Sequence, residues 1–359
     1  MKKKIKILAF RTDRIGDLIN SSSILKSLKS YYNNPELHLV CSEYNSSIAM
    51  SYDFVDKVHV YNKKLSIIGK LIFYIKLIFN SYDICLVIDG KTISKVVSFL
   101  TRSKKKYIIC FKKKRSILGV NFTLYRPPLN VCKFFYDAHV ICDEDYNNKS
   151  ANSDFNNHYL NMYYHLFKKD NIHLLPEKHC FNIDKNSLDS FINFFDINIK
   201  NDFINIHIDY KWDEYNLDID RFNQMLFNLS AKKKITITSG FEGSIFFNNL
   251  KNHYSLFSFK NDGSFVKNEK KTPNILLIES LSINLLACFI RNCSLSITSH
   301  SGAVIHISAA FNIPIIDFIK KSKVNEYDRW VPPNVPYYRA FVDKLENLEN
   351  EIDKKLTKS

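Results

Sequence analysis

Residues 5–19 read Ile-Lys-Ile-Leu-Ala-Phe-Arg-Thr-Asp-Arg-Ile-Gly-Asp-Leu-Ile. The mostly apolar run over residues 5–10 has the length of a strand, and a charged turn with Gly16 follows it over residues 11–17. From Leu18 onward, apolar residues recur at roughly helical spacing. A strand that leads through a glycine-containing turn into a helix presents groups at the carboxyl edge of a parallel sheet. The opening therefore predicts an α/β fold with a functional turn at this edge.

This turn carries two carboxylates and two guanidinium groups, those of Asp13, Asp17, Arg11 and Arg14. Such a set suits proton abstraction next to an anionic substrate. Gly16 permits close backbone approach, and the predicted helix over residues 18–31 points its N-terminus at the turn, so an anion can settle there. The simpler alternative is that Asp17 or Asp13 only caps the helix.

The length and charge of the chain limit its class. A chain of 359 residues predicts two domains, because a single core rarely grows past roughly 250–300 residues. The hydrophobic content of 45% supports a globular protein. The formal charge of +15 indicates attraction to an acidic partner, which is nucleic acid, anionic lipid or a phosphorylated substrate. The alternative is a compositional drift toward Lys, Asn and Ile.

Cysteine usage and hydropathy predict a cytoplasmic protein. None of the eight cysteines forms a Cys-x-x-Cys pair, so we expect buried thiols and no metal site or disulfide. We expect no signal peptide and no membrane span, because the first apolar run is short and no long uncharged one follows. Residues 65–79 are apolar almost all round except for Lys70 and Lys76. They predict a helix that is buried between layers or lies on a membrane surface.

Strand and helix patterns alternate in two series, which predicts two doubly wound parallel sheets. The strands are predicted at 5–10, 37–41, 57–61, 83–89, 106–110, 203–208, 234–238, 274–277, 294–298 and 313–317. The polar stretch at 143–157 predicts a surface loop. We expect an N-terminal domain over residues 1–170, a linker over 171–200, a second domain over 201–335 and a C-terminal helix over 336–359 that packs back toward the N-terminal domain.

Residues 298–310 read Thr-Ser-His-Ser-Gly-Ala-Val-Ile-His-Ile-Ser-Ala-Ala and follow a predicted strand. The turn at Gly302, the hydroxyl of Ser301 and the N-terminus of the next helix together form a phosphate cradle. His306, in the first turns of this helix, can hydrogen-bond a phosphate or a sugar. The alternative is a tight strand–helix turn with a satisfied histidine.

Two further polar groups follow strands of the second series. Lys211 comes after the strand at 203–208 and is a natural partner for a diphosphate, with Trp212 packed beside it. Glu242 lies in a turn after the strand at 234–238, where it can accept hydrogen bonds from a ribose or a base or remain solvated. Because ligands of open α/β sheets bind at the carboxyl ends of the strands, these turns are candidate binding elements.

The chain resembles glycosyltransferase family 9, whose best-known members are the bacterial lipopolysaccharide heptosyltransferases. The likeness starts at residues 5–29, with Arg-x-Asp-Arg-Ile-Gly-Asp-Leu-Ile followed by Ser-Ile-Leu-Lys-Ser-Leu-Lys. Residues 54–58 are similar to the family's segment before an early strand, and Lys211-Trp212 to its phosphate-contact motif. Residues 285–314 are similar to its donor-binding stretch. The resemblance covers most of the chain and is thin between residues 90 and 200.

This resemblance implies a GT-B architecture, in which two Rossmann-like domains face each other across a cleft. It also implies inverting transfer of a heptose or similar sugar from a nucleotide-diphospho-sugar resembling ADP-heptose, without a cofactor or a metal. The general base of the family falls on Asp17. The donor-side residues are Lys211, Glu242, His300, Ser301, Gly302 and His306. The acceptor-side residues are Arg11, Asp13, Arg14 and Gly16.

The donor stretch departs from the family pattern in two ways. His300 stands where the family usually has Asp before Ser-Gly, and one extra residue separates Gly302 from His306. Either the helix begins one residue later, or His300 rather than His306 faces the donor. The missing Asp is compatible with a nucleotide sugar other than ADP-heptose.

The favoured function is therefore transfer of a sugar to a lipopolysaccharide or other anionic glycan acceptor, with peripheral contact at the cytoplasmic face of the inner membrane and no nucleic acid. One alternative is a nucleotide-sugar epimerase or hydrolase on the same fold. Such an enzyme should have several catalytic carboxylates and histidines in the cleft, but in this sequence only Asp17 stands out. The other is a non-catalytic nucleotide or polyanion binder. The basic clusters at 104–106 and 112–115 are of the kind that a nucleic-acid binder needs, but they flank a strand and are interpreted as solvated ends.

Overall fold

The chain separates into two compact units, Met1–Cys180 and Phe181–Ser359. The computed structural model describes residues 4–117, 120–142, 160–199, 202–240, 244–260, 262–268, 274–333 and 335–356. The boundary between the units falls inside the predicted linker. The loop predicted at 143–157 lies outside the described residues.

The first unit is a mainly parallel sheet with interleaved helices. Its strands are β1 (Lys6–Phe10), β2 (Glu36–Ser42), β3 (Lys57–Tyr61), β4 (Ser81–Val87), β5 (Arg102–Ile117), β6 (Val120–Arg126) and β7 (Ala138–Cys142). Its helices are α1 (Ile15–Tyr31), α2 (Ser46–Ser51), α3 (Ile67–Ile78), α4 (Thr92–Leu100), α5 (Leu129–Phe135) and α6 (Leu160–Lys168).

The strand order of the first sheet places a crevice between β1 and β4. The parallel strands follow the order β3-β2-β1-β4-β5-β7, and β6 pairs antiparallel with the far end of β5. Chain order reverses direction between β1 and β4, and ligands of doubly wound sheets bind at such a point, beyond the carboxyl ends of the strands. The turn over residues 11–14 follows β1 there.

Helix α1 is buried on almost every side, although it carries several small polar residues. Its side chains from Asn20 to Ser23 are all buried. The Ser23 and Ser27 hydroxyls lie 3.1 and 3.2 Å from the hydroxyl of Tyr164 on α6. Buried hydroxyls are tolerated where they find hydrogen-bond partners, so α1 can pack between the sheet and α6 without an apolar surface all round.

The second unit repeats this construction. Its strands are β8 (Phe203–His207), β9 (Lys234–Thr238), β10 (Ser255–Phe259), β11 (Phe265–Asn268), β12 (Ile275–Glu279), β13 (Leu295–Thr298), β14 (Ile315–Ile319) and β15 (Tyr337–Phe341). Its helices are α7 (Lys185–Asn198), α8 (Ile219–Ser230), α9 (Ile245–Leu250), α10 (Ile283–Asn292), α11 (Gly302–Ala310), α12 (Val324–Tyr327) and α13 (Leu345–Leu356).

The second sheet has its own crevice, between β8 and β13. The strand order is β11-β10-β12-β9-β8-β13-β14-β15, and all neighbours are parallel except β10 and β11. Strands β9 to β12 lie on the β8 side of this crevice, and β14 and β15 lie on the β13 side. The residues that follow these two strands therefore meet at the carboxyl edge.

The C-terminal helix belongs to the second unit. Leu345, Leu348 and Ile352 of α13 are buried in the same apolar core as the strands of the second sheet, and α13 contacts β15 and α8. This helix was predicted from the sequence to pack back toward the N-terminal domain. Its apolar residues recur at helical spacing, and the surface that they cover is formed by its own unit.

The two mainly parallel sheets with interleaved helices confirm the predicted α/β class. The predicted strand list omitted β6, β7, β10, β11 and β15, and β5 is longer than predicted because its far end pairs with β6. Within the described part of the chain, no helix combines the length and the apolar character needed to cross a membrane.

Candidate active site

Arg11 is the buried centre of the turn after β1. Its side chain is 2% exposed, and its Nε donates to the main-chain oxygen of Asp17 at 3.1 Å. Its Nη1 donates to the main-chain oxygen of Ile88, just beyond β4, and its Nη2 lies 3.1 Å from the hydroxyl of Tyr163 on α6. One guanidinium thus joins β1, α1, α6 and the end of β4 around the crevice.

Asp89 fixes the same turn from the other side of the crevice. This fully buried carboxylate accepts from the main-chain nitrogen of Thr12 at 2.9 Å and from its hydroxyl at 2.7 Å. It also accepts from the Ser94 hydroxyl at 2.8 Å. Asp89 was not predicted as a site residue from the sequence. An acidic residue that closes the apolar run Ile-Cys-Leu-Val-Ile was the available signal.

Asp13 and Asp17 share the guanidinium of Arg11. An oxygen of Asp13 lies 3.3 Å from Nη1 and an oxygen of Asp17 lies 3.8 Å from Nη2. Their side chains are 19% and 24% exposed. Burial raises the pKa of Asp13 to about 7, Arg11 opposes this rise, and the negative charges of Asp17 and Asp89 add to it.

Neither carboxylate is the cap of α1. The capping position belongs to the exposed Arg14, and Asp17 is the third residue of the helix. Gly16 is buried in the first turn. A carboxylate in the first turn interacts favourably with the helix dipole.

Lys211 spans the crevice of the second sheet. It lies in a short 3-10 helix, Tyr210–Tyr215, and its Nζ donates to the main-chain oxygen of His300 at 2.5 Å. Asp209 holds both sides of this contact, because it accepts from the Lys211 main-chain nitrogen at 3.0 Å and from the Ser299 hydroxyl at 2.8 Å. The cation is thereby fixed where β8 and β13 end.

Trp212 anchors the 3-10 helix that carries this lysine. The indole is fully buried, donates from Nε1 to the main-chain oxygen of His207 at 3.1 Å and stacks on Phe246 with ring centroids 5.8 Å apart. The predicted packing of Trp212 beside Lys211 is therefore structural: the tryptophan fills the core below the turn, and Lys211 remains at its surface.

His300 occupies a left-handed backbone conformation, with φ +55°. His, Asp and Asn are the non-glycine residues that most readily adopt it, which accounts for a His at the position where the family usually has Asp. Its main-chain nitrogen and Nδ1 lie 2.6 and 2.7 Å from the two oxygens of the buried Asp317. Its ring stacks on Tyr327 with centroids 3.7 Å apart and planes 5° apart.

Asp317 and Tyr327 were not predicted as site residues. Asp317 lies inside β14 and also accepts from the hydroxyl of Tyr337 on β15. An acidic residue within an apolar strand was the signal that pointed to it. The ring of Tyr327 also lies 5.6 Å from the Nζ of Lys211, so His300, Tyr327 and Lys211 form one cluster.

Helix α11 begins at Gly302, with Ser301 at the capping position and no hydrogen bond from its side chain to the helix. A Cβ added at Gly302 would meet nothing within 4 Å, so the space beside this residue is open. His306 is the fifth residue of α11 and is buried. Of the two candidate histidines, His300 lies in the turn and His306 lies inside the helix packing.

The remaining predictions concern Glu242 and metal ions. Glu242 lies outside the described residues. Among the residues that the structure describes, no group of three or more His, Cys, Asp or Glu side chains is arranged to hold a metal ion.

Solved structures share this fold over its full length. A glycosyltransferase family 9 protein from Veillonella parvula DSM 2008 matches with a TM-score of 0.73 and 13% identity, over 100% of this chain and 99% of that chain. The E. coli ADP-heptose lipopolysaccharide heptosyltransferase II matches with a TM-score of 0.68 and 12% identity, over 99% of both chains. The E. coli heptosyltransferase WaaC with ADP matches with a TM-score of 0.64 and 12% identity, again over 99% of both.

No protein-family model matches the sequence, and no curated protein matches it significantly. At 12–13% identity the likeness to solved structures concerns the fold alone. The chain has the GT-B fold, and its resemblance to glycosyltransferase family 9 is confirmed at that level.

Proposed function

We propose that this protein is an inverting glycosyltransferase that moves a heptose or a similar sugar from a nucleotide-diphospho-sugar to a lipopolysaccharide or another cell-surface glycan. One observation carries the proposal: each sheet has polar groups fixed at its crevice, and the two sets differ in charge. The first crevice holds the carboxylates of Asp13 and Asp17. The second holds the cation of Lys211 beside the N-terminus of α11.

Asp17 acts as the general base in this proposal. It removes the proton from an acceptor hydroxyl as that oxygen bonds to the anomeric carbon of the donor. The bond from this carbon to the diphosphate breaks on the opposite face, so the configuration inverts and the nucleoside diphosphate leaves with the electron pair. The buried guanidinium of Arg11, 3.8 Å from the Asp17 carboxylate, holds this side chain in the turn.

Asp13 has a supporting role in this account. With a pKa of about 7, it carries a proton for part of the time near neutral pH, which limits the negative charge around Arg11. The two carboxylates at this one cation thus have different roles: Asp17 accepts the proton, and Asp13 adjusts the local charge.

The second crevice supplies the groups that a leaving diphosphate requires. Lys211 provides a positive charge, and α11 begins at Gly302, beside which the space is open. The Ser301 hydroxyl lies at the same end of the helix. Donors fixed before the reaction stabilise charge that develops as the bond to the diphosphate breaks. His300 positions Lys211 through its main-chain oxygen.

Binding of nucleoside diphosphates tests the donor side. Titration calorimetry with ADP, GDP and UDP should find one that binds the wild-type chain. Lys211→Met should raise its dissociation constant by roughly 10- to 100-fold, the loss expected when a charged hydrogen bond to phosphate is removed. Lys232→Met is the matched control, because Lys232 pairs with Asp353 at a distance from this edge of the sheet. Equal affinities of the two variants would exclude Lys211 from the donor site.

A further inference from the structure

Helix α3 exposes an apolar face. Its inward side buries Leu77 in the core under the sheet, whereas Ile67, Ile68, Leu71, Ile72 and Ile75 are all exposed, as is Phe79 at its end. These positions recur at helical spacing and form one side of the cylinder. Five large apolar side chains on one exposed helical face exceed the scattered apolar residues of an ordinary surface.

Helices α4 and α5 extend this apolar surface. Leu77 of α3, Val97 of α4 and Cys132 of α5 all pack into one core cluster, so the three helices cover the same face of the first sheet. Their outward side chains include Val96, Phe99, Leu100, Phe134 and Phe135, all of which are exposed. The rings of Phe99 and Phe135 meet with centroids 4.3 Å apart, which joins α4 to α5.

A groove of about 400 Å³ runs between α4 and α5. Its walls are mainly apolar and include Val96, Phe99, Pro127, Val131 and Phe135. The apolar surface is therefore not restricted to one helix. It has a depression of its own beside α4.

The charge of the chain is concentrated in the same segment. Residues 57–136, which run from β3 to the residue after α5, contain 17 Lys and Arg residues and only two acidic residues, Asp83 and Asp89. Their formal charge of +15 equals that of the whole chain, because the other residues contain 34 basic and 34 acidic side chains. The excess charge therefore belongs to the part of the sequence that forms this face.

The lysines beside α3 are available to an external partner. Lys63, Lys64, Lys70 and Lys76 flank or interrupt the helix, and none of them pairs with an acidic side chain in the described part of the chain. Other cations of the segment are neutralised locally, such as Lys104 by Asp83 at 2.7 Å. The neighbourhood of α3 thus combines apolar side chains with unpaired positive charge.

We propose that the face formed by α3, α4 and α5 docks on a bilayer that contains anionic phospholipid. A helix with exposed Ile and Phe side chains and lysines at its border can lie in the headgroup region, with the lysines reaching the phosphates. Helix α3 has 12 residues and spans about 18 Å, too short to cross a hydrocarbon layer of ~30 Å. Docking on the surface therefore fits it better than insertion across the bilayer.

The place of α3 in the fold connects this face to the proposed acceptor side. The helix follows the carboxyl end of β3, and β3, β2 and β1 are parallel neighbours. The start of α3 is therefore at the same edge of the sheet as the turn that carries Asp17. A face docked in this way brings that edge to glycolipid headgroups, although docking itself needs no catalytic activity.

Vesicle flotation with the full chain tests the proposal. The wild type should float with vesicles that contain about 30 mol% phosphatidylglycerol, bind pure phosphatidylcholine much less, and lose most of its binding at about 0.5 M salt. Ile68→Glu/Phe79→Glu should lower the partition coefficient by about tenfold or more, because both new carboxylates enter the contact with anionic lipid. Thermal unfolding and circular dichroism check that this variant folds.

Ile245→Glu/Phe227→Glu is the matched control. It replaces one Ile and one Phe by Glu, so both double variants change the net charge by the same amount. Ile68 and Ile245 are both 70% exposed. This control, on the second unit, should float like the wild type. Equal flotation of the two variants, or a wild type that stays free of anionic vesicles, overturns the proposal. If the wild type binds no vesicles but binds labelled duplex DNA, the proposal is also overturned. The same holds if the wild type binds no vesicles but self-associates, and the α3 variant loses this self-association.

Discussion

Arg11 shows how one side chain can serve both the fold and the proposed reaction. Its guanidinium contacts a carbonyl beyond β4, a carbonyl in α1 and the hydroxyl of Tyr163, and it faces both carboxylates of the turn. A buried charge of this kind is retained only if its partners surround it, because desolvation of an isolated guanidinium is costly.

Arg11→Met should destabilise the first unit by about 3 kcal/mol, because the two carboxylates and the carbonyl groups lose their common partner. Chemical denaturation followed by circular dichroism measures the change. Arg14→Met is the control, since Arg14 is exposed and makes no capping hydrogen bond. It should change the free energy of unfolding by less than about 0.5 kcal/mol. Comparable losses in the two variants would contradict the central place of Arg11.

The raised pKa of Asp13 predicts a dependence of stability on pH. Its pKa is about 7 in the folded chain, against a usual value of 3.8. Between these values the folded state holds a proton that the unfolded state has released, so this group lowers the free energy of unfolding as the pH rises. Asp13→Asn removes the effect and should therefore gain stability over the wild type from about pH 5 to pH 8. Parallel pH profiles of the two proteins would show that Asp13 titrates normally.

At the scale of elements, both candidate sites arise where a strand ends beside a helix start. The first crevice is built by β1, α1 and the end of β4, and the second by β8, β13 and α11. In each, a buried acid fixes the turn from a neighbouring strand: Asp89 holds Thr12, and Asp317 holds His300. The main chain is thereby set before any ligand arrives, which is what electrostatic preorganisation requires.

The turn before α11 should depend on His300 for both conformation and hydrogen bonding. His300→Ala places a residue with a poor preference for positive φ at +55° and removes a donor to the buried Asp317. We expect a loss of about 2 kcal/mol in stability, measured as a lower midpoint of thermal unfolding. His300→Asn should lose less, because Asn tolerates this conformation. If Asn and Ala are equally destabilising, the backbone conformation is not the reason for the residue type.

The sequence predicted local features of these elements well. The strand, turn and helix over residues 5–31 form from neighbours in the chain, so their pattern is visible in the sequence. Asp89 and Asp317 were missed because their partners lie 77 and 17 residues away and meet them only through strand pairing. For the same reason, the amphipathic pattern of α13 was recognised, but the surface that it covers was not.

The region of thin resemblance gave the poorest predictions. Residues 102–117 contain many lysines, so only residues 106–110 were predicted as a strand. Pairing with β4 extends the start of this strand, and pairing with β6 extends its far end. Outside that region, the sequence of residues 65–79 allowed either a helix buried between layers or a helix on a membrane surface. The structure leaves one side of α3 exposed, which a nearly uniform apolar pattern could not reveal.

At the scale of the whole molecule, charge and chemistry are distributed unevenly between the units. The first unit contains the carboxylate turn and residues 57–136 with their charge of +15, and the second contains Lys211 and the open N-terminus of α11. In the proposed function, the acceptor side therefore belongs to the first unit and the donor side to the second. The fold is that of solved glycosyltransferases at 12–13% identity, so the residues themselves must carry the functional argument.

The proposed mechanism requires Asp17 to accept the proton of the acceptor hydroxyl. The most direct measurement is the rate of nucleoside diphosphate release from the preferred donor, with and without a glycolipid extract of the cell envelope as acceptor. We expect release that depends on the extract and falls by about 10²–10⁴-fold in Asp17→Asn, with the affinity for the nucleoside diphosphate unchanged. Release that ignores the extract, or an Asp17→Asn variant that keeps the wild-type rate, would contradict it.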